Sequence, residues 1–493
     1  MKPDLHTRHA EPGRIAYRSG SLYTASLQQR AEPATVSRAT RRGTRAEQRT
    51  VELARQIVSE LFGLPAERDF AIRYWNGTDD QAAHRRQPGY TLVLRHPGAL
   101  RNMFLPPGEK KLAEAFLHDD FDIEGNLEAA AELAWLLADR LRSPRRLAKV
   151  CSLLIQLPRG TNSKSGFSQS SSRGRMKRWR QIVNGRRHTR TRDAMAIKHH
   201  YDVGNDFYAL WLDKHLAYSC AYFPPGVRDI NSAQEAKFDL ICRKLRLQPG
   251  EKLLDIGCGW GGLIRYAAGN YGVTALGITL SEAQATLARE RIAGDGLQDR
   301  CTVELRDYRD LPAGVSFDKI VSVGMFEHVG RADLNDYFRV VTGLVRPGGL
   351  FLNHGIVSLD DARDPRGNAA PPRRLWGKGR FMDGYVFPDA ELAPLATAIG
   401  AGEAAGLETR DVESLREHYA ETLRHWVARL DRHSQEARDL VGETTYRVWR
   451  LYMAASAYAF ATARIGVVQI LFARPTADGR CEHPRTRDDL YDH

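Results

Sequence analysis

The ten residues Leu253-Leu254-Asp255-Ile256-Gly257-Cys258-Gly259-Trp260-Gly261-Gly262 constrain this chain more than any others. An apolar strand runs into a glycine-rich turn, and Leu263, Ile264, Tyr266 and Ala267 then recur at helical spacing. Glycines let the backbone approach a ligand closely, and such a turn lies at the carboxyl edge of a parallel sheet, where doubly wound folds bind ligands. The spacing is G-C-G-W-G-G rather than G-x-G-x-x-G, so the phosphate cradle of dinucleotide folds is not implied. Further strands are predicted in βα alternation at 273–277, 301–305, 318–323 and 350–356. Residues 467–472, behind a long helix, read as a late edge strand. The expected class is α/β, with a doubly wound, mostly parallel sheet.

The chain's 493 residues suffice for two or three domains. Its net charge of +12 is unevenly spread: residues 140–198 hold 17 Lys and Arg and one acid, Asp193, and residues 1–50 hold ten bases and four acids. The remaining 384 residues sum to −10. Both basic segments lack apolar periodicity, so 1–50 is expected to be a disordered tail and 143–195 an interdomain linker. Residues 196–475 then form the catalytic domain and 476–493 a C-terminal tail. Within the linker, Met176, Trp179, Ile182 and Val183 recur at helical spacing before Gly185, which suits a short interfacial helix on an anionic bilayer. A solvated linker is the plainer alternative. Nucleic acid has no other support, since neither zinc-finger spacing nor an RNP-like aromatic pattern is present.

Residues 51–142 read as a small α+β domain. Val51, Leu53, Ile57, Val58, Leu61 and Phe62 suit an amphipathic helix, 70–75 and 90–94 alternate as strands around an Asn76-Gly77 turn, and Asn126 caps a Leu-rich helix. No paired carboxylates or ligand cluster occur in it, so catalysis is expected elsewhere. The six cysteines lie far apart with no C-x-x-C pair, so neither disulfides nor a metal site are predicted. No apolar run approaches a membrane span and the first 28 residues have no apolar leader region, which leads to the expectation of a cytoplasmic protein.

The turn at 255–262 resembles the first motif of S-adenosylmethionine-dependent methyltransferases. Around it stand His200-Tyr201-Asp202-Val203-Gly204-Asn205-Asp206-Phe207-Tyr208, Tyr218-Ser219-Cys220-Ala221-Tyr222-Phe223, Gly277-Ile278-Thr279-Leu280-Ser281 with Gln284, Asp307-Tyr308-Arg309-Asp310-Leu311 and Val323-Gly324-Met325-Phe326-Glu327-His328-Val329-Gly330. Together these motifs resemble the cyclopropane-fatty-acyl-phospholipid synthase family over about 200–473. More loosely, Ile72-Arg73-Tyr74-Trp75-Asn76-Gly77 and Ile123-Glu124-Gly125 are similar to that family's N-terminal lipid-binding domain.

The resemblance implies that S-adenosylmethionine is held by Tyr218, Ser219, Gly257, Gly259, Thr279, Leu280, Gln284, Asp307 and Tyr308. Physically, Asp255 can organise the turn and Gln284 can bond ribose hydroxyls. Loop capping is the plain alternative for Asp255 and Asp307. The family's reaction builds a carbocation on an alkene, which requires a dry, apolar site and a base. In the family that base is a bicarbonate ion held by a Cys, a Glu, a His and a Tyr, which match Cys220, Glu327, His354 and Tyr419. Each has a structural alternative: a buried thiol, a satisfied core histidine, an aromatic packed in the core. Glu327-His328 is the hardest to explain that way, because it ends an apolar strand at the ligand edge.

Two departures stand out. Asn353 and Gly355 flank His354 where a common family pattern has Leu-His-Thr, and 358–380 is a Pro/Arg-rich insertion before Phe381-Met382-Asp383-Gly384-Tyr385-Val386-Phe387-Pro388. Trp449, Tyr452, Tyr458 and Phe460 are either core aromatics or walls of an acyl tunnel. The resemblance implies methyl transfer to the cis double bond of an unsaturated phospholipid, forming a cyclopropane, on the inner face of an anionic membrane and with a homodimer left open. The rivals are a methylene- or methyl-branching enzyme, a methyltransferase with another acceptor, and a non-catalytic lipid-binding protein.

Overall fold

Helix α1 (Arg45–Phe62) opens the folded chain by burying Val51, Ala54, Ile57, Val58, Leu61 and Phe62, the three-and-four spacing the sequence predicts. The computed structural model describes residues 44–81, 89–141, 143–160, 203–312, 314–359, 385–386, 391–481 and 483–491. The expected interfacial helix, residues 200–202 of the first motif, and most of the 358–380 insertion and of the motif after it lie outside these residues.

Strands β1 (Ala71–Arg73), β2 (Asp79–Asp80), β3 (Tyr90–Leu94) and, after helices α2 (Ala99–Phe104) and α3 (Glu109–Leu117), β4 (Phe121–Gly125) form a sheet in the order β2-β1-β3-β4. The Asn76 side chain accepts the Thr78 N–H at 3.1 Å in the turn between β1 and β2. Helix α4 (Leu127–Ala130) starts where the Asn126 side chain accepts the Ala129 N–H, as expected, and α5 (Glu132–Arg140) follows.

The expected linker boundary at 143 needs correction. Ser143 caps helix α6 (Pro144–Gln156), which buries Val150 and Leu154. Arg101 fixes its end by donating to the carbonyls of Ile155 and Leu157 at 2.7 and 2.9 Å. Arg145, Arg146 and Lys149 lie on its exposed face, so charge there marks solvent rather than a linker.

Helices α7 (Asn205–Trp211) and α8 (Ile230–Leu245) precede the second sheet. Its elements are β5 (Lys252–Ile256), α9 (Gly262–Tyr271), β6 (Thr274–Thr279), α10 (Glu282–Gly294), β7 (Cys301–Leu305), β8 (Phe317–Val323), α11 (Leu334–Leu344), β9 (Val345–Ser358), α12 (Leu395–Ala404), β10 (Glu408–Ser414), α13 (Arg416–Arg432), α14 (Ser434–Ala461) and β11 (Ile465–Ala473). The order is β10-β11-β9-β8-β5-β6-β7. Strands β5 to β9 pair in parallel, whereas β11 is antiparallel to both its neighbours. The expected placement of 467–472 at the edge is therefore corrected: β11 is internal and β10 is the edge. The sequence of β10, Glu-Thr-Arg-Asp-Val-Glu-Ser, has no apolar alternation because neither of its faces is deeply buried.

The N-terminal layer and the catalytic layer share one hydrophobic core, in which Ile57, Phe62, Ile72 and Phe116 belong with Trp211, Trp426, Trp449 and Phe460. Arg447 of α14 reinforces this junction, donating to the Phe116 carbonyl at 3.0 Å and to Asp119 at 2.7 Å. Arg424 of α13 pairs with both Glu128 oxygens at 2.8 Å. At the C-terminus, helix α15 (Asp488–Tyr491) packs Leu490 into the fold and pairs Asp489 with Arg246, so this part of 476–493 is not a free tail.

Candidate active site

At the carboxyl edge of β5, β6 and β8 the chain encloses a cavity of about 170 Å³. All ten residues expected at the cofactor line it: Tyr218, Ser219, Asp255, Gly257, Gly259, Thr279, Leu280, Gln284, Asp307 and Tyr308. Gly257 sits at φ +87°, a conformation L side chains rarely adopt, and a Cβ there would meet Met325 at 3.2 Å. The N–H groups of Gly257 and Cys258 both donate to the Ile278 carbonyl at 3.0 Å, which folds the turn back onto β6.

Thr279 donates its hydroxyl to the Gln284 amide oxygen at 2.8 Å and so orients that side chain in the wall. Asp255 is buried with no hydrogen-bond partner for its Oδ1 among the described residues, and burial raises its carboxyl to about 7, against the pull of Lys237. Asp307 serves the loop as well as the cavity: it accepts the Arg309 N–H at 2.9 Å and pairs with its guanidinium at 2.6 Å. The Asn205 side chain accepts the Trp260 indole N–H at 2.8 Å, which ties the first motif to the glycine turn.

None of the four residues expected at the base lines this cavity; three of them adjoin its lining along the chain or through a backbone bond. Cys220 follows Ser219, and Glu327 precedes His328, which lines the cavity. The His354 carbonyl accepts the N–H of Gly324, another lining residue, at 2.9 Å. Glu327 Oε1 accepts the Ile356 N–H at 2.7 Å, and burial raises its carboxyl to about 7 against that bond. His354 is pushed down to about 3 by burial and by the charges of Lys237 and Lys244, so its ring is neutral.

The Gln469 amide nitrogen lies 3.2 Å from His354 Nδ1, which assigns the tautomer with the proton on Nε2. Ile356 is in register with Val467, whose carbonyl accepts the Leu415 N–H at 2.9 Å. The Leu415 carbonyl accepts from the Tyr419 N–H at 3.0 Å and from the Cys220 thiol at 3.6 Å. Backbone bonds thus gather all four residues at the end of β9. The Cys220 thiol is driven strongly upward by burial, so it stays protonated and acts here as a hydrogen-bond donor.

Aromatic rings pack beside the cavity. Tyr208 lies 5.1 Å from Trp260 and 5.4 Å from Trp449, and Tyr218 lies 5.3 Å from Trp426. Trp449, Tyr452 and Phe460 are buried in the shared core. Sequence reasoning missed Lys237, Gln234 and Gln469. The first two left a signal, because both fall on the apolar strip of α8 with Ala233, Phe238 and Ile241, where polar side chains are out of place.

The departure at Gly355 has a packing reason: a Cβ there would lie 2.8 Å from the Phe326 ring, next to Glu327. Asn353 is buried and accepts the Tyr337 hydroxyl at 3.2 Å.

Residues 188–470 match the family model described as mycolic acid cyclopropane synthetase. The chain is 41% identical over 420 residues to a probable fatty acid methyltransferase of Pseudomonas putida, covering 85% of this chain and 95% of that one. It is 38% identical over 284 residues to the cyclopropane-fatty-acyl-phospholipid synthase of Escherichia coli K12, covering 57% of this chain and 68% of the relative. The solved cyclopropane synthase of Mycobacterium tuberculosis superposes with a TM-score of 0.54 at 32% identity, over 57% of this chain and 97% of the other. A mycolic acid cyclopropane synthase complexed with SAH and CTAB gives the same values. A methyltransferase fold with the ten expected residues around its cavity, joined to these likenesses, makes the chain a member of the mycolic acid cyclopropane synthetase family, the S-adenosylmethionine-dependent methyltransferases of the cyclopropane-fatty-acyl-phospholipid synthase type.

Proposed function

We propose that the chain transfers the methyl group of S-adenosylmethionine to the cis double bond of an unsaturated phospholipid acyl chain, loses the proton to a bound bicarbonate and forms a cyclopropane. The observation that carries this reading is a pair of buried atoms, Glu327 Oε2 and His354 Nε2, neither of which has a hydrogen-bond partner among the described residues. A carboxylate oxygen and an imidazole nitrogen are costly to leave unpaired in an apolar core, and a bound ligand would satisfy both. They suit a small anion that both donates and accepts: Glu327 takes its hydroxyl proton, while His354 Nε2–H donates to its oxygens. The Tyr419 hydroxyl and backbone N–H groups are the further donors, and Cys220, whose S–H is directed at the Leu415 carbonyl, completes the set by resemblance.

When bound, the cofactor supplies an electrophilic methyl group and the anion a proton acceptor. The chain's own part is to exclude water with its aromatic wall and to hold negative charge where cationic charge develops. Among the described residues no helix is long and apolar enough to cross a membrane. The excess of 17 bases over one acid in 140–198 supports peripheral binding to an anionic surface, at the inner face of the membrane.

The test is incubation of purified protein with methyl-labelled cofactor and vesicles of a mono-unsaturated phospholipid. A labelled lipid that gains CH2 and resists hydrogenation is the expected product. A product that takes up hydrogen marks a methylene branch, and an unlabelled lipid fraction overturns the reading.

A further inference from the structure

Three lysines of the second sheet's layers are buried, and two of them have acidic partners. Lys244 pairs with Asp411 at 3.6 Å and with Glu413, and Lys319 pairs with Glu251 at 3.5 Å. Lys237 is different: only 2% exposed, it donates from Nζ to the Ser219 hydroxyl at 3.0 Å, and no carboxylate lies within ion-pair distance among the described residues. The nearby Asp213 is committed to the backbone N–H groups of Ala217 and His215 at 2.7 and 2.8 Å. Besides that hydroxyl the ammonium meets only the face of the Phe238 ring, at 4.2 Å, among the described residues, and a buried ammonium without a counter-charge in contact is costly unless an anion joins it.

Its position says which anion. Lys237 and Ser219 both line the cofactor cavity, together with Asp255 and Gly257. One helical turn earlier on α8, the Gln234 amide donates to the carbonyls of Ala217 and Ser219 at 3.1 and 2.9 Å. That clamp fixes the Ser219 hydroxyl against Lys237. The same wall carries Asp255 Oδ1, which has no hydrogen-bond partner among the described residues. A cation and a carboxylate in one wall, each within the other's field but not in ion-pair contact, match an α-amino acid, which presents one carboxylate and one ammonium. The sulfonium would be repelled by Lys237, so the ammonium of this lysine belongs at the carboxylate.

We propose that Lys237, with Ser219, anchors the carboxylate of the amino-acid end of S-adenosylmethionine. This rests on the assignment of the cavity to that cofactor and extends it to a residue and a chemical group.

Calorimetric binding of S-adenosylmethionine and of its decarboxylated analogue to the full chain tests it. The wild type should prefer the carboxylate-bearing compound by roughly 10- to 100-fold, the range for one charge-assisted contact in a dry site. Lys237→Met, which keeps the volume, should weaken S-adenosylmethionine by that factor and leave the analogue within about twofold, which also shows that the variant folds. Equal affinities in the wild type overturn the proposal without any variant. So does equal weakening of both compounds by Lys237→Met, the result a merely structural lysine would give. Failure of the wild type to bind either compound would instead strike the cofactor assignment itself.

Discussion

Glu327 reaches from the end of β8 to the neighbouring strand, where its Oε1 accepts the Ile356 N–H at 2.7 Å while its Oε2 is buried with no partner among the described residues. One oxygen is used for position and the other is kept for chemistry. Its carboxyl, raised to about 7 by burial, is suited to exchanging a proton near neutrality.

Glu327→Gln keeps the Oε1 contact and removes the proton acceptor. Turnover is expected to fall by about 10²- to 10⁴-fold, the usual contribution of a general base or its partner. Affinity for S-adenosylhomocysteine, whose cavity Glu327 does not line, should stay within about threefold. Full activity in this variant would remove the role assigned to Glu327.

The same variant has a stability signature. Glu327 has a folded pKa above that of the unfolded chain, so as pH rises from about 4.5 to 7 the unfolded state gives up its proton first and the fold loses stability. Above about 7 the loss is complete. Glu327→Gln should therefore match the wild type in denaturant melts at pH 4 and exceed it at pH 8 by on the order of 1–3 kcal/mol. A variant less stable than the wild type at pH 8 would contradict the assignment.

Gln469 supports His354 from β11, and its loss should act through the imidazole alone. Gln469→Leu leaves Nδ1 without its donor and frees the ring to adopt the other tautomer. Turnover should drop roughly 10- to 100-fold, as when a supporting hydrogen bond to a functional histidine is removed. The KM for the cofactor should not move, and steady-state kinetics at saturating and limiting cofactor separates the two.

Gly355→Ala places a methyl group 2.8 Å from the buried Phe326 ring, so one of the two must shift. A cost of about 1–3 kcal/mol in urea denaturation is expected. Because Phe326 adjoins Glu327, turnover should fall more than the unfolded fraction accounts for. Unchanged stability would show that Phe326 can move.

Arg447→Met removes the cation between α14 and the N-terminal layer, leaving Asp119 and Asp122 to Arg95, at 3.4 and 2.9 Å. A loss of about 1–3 kcal/mol in the unfolding free energy from urea melts, with a single transition, is expected for a shared core. Two separate transitions would mean that the layers fold independently.

The glycine turn and the alternation of strands and helices were legible in the sequence, because those features depend on local chemistry: strand propensity, positive φ at Gly257 and apolar spacing. Tyr218, Thr279, Gln284 and Asp307 were legible only through the resemblance of their motifs to a known family, and the fold brings them with Asp255 around one cavity. The edge strand β10 and the helix at 144–156 were not legible, since both have charged, half-exposed surfaces that look like loop or linker until a neighbour covers one side.

What only the tertiary structure decided is which polar groups are left alone in the interior. Residue order does not reveal that Gln469 meets His354 across two antiparallel strands, or that Lys244 finds carboxylates and Lys237 does not. The physical reason is that desolvation belongs to a place, not to a residue type. The same lysine or glutamate side chain is ordinary in water and becomes a binding or proton-transfer group only when chain segments far apart in sequence close over it.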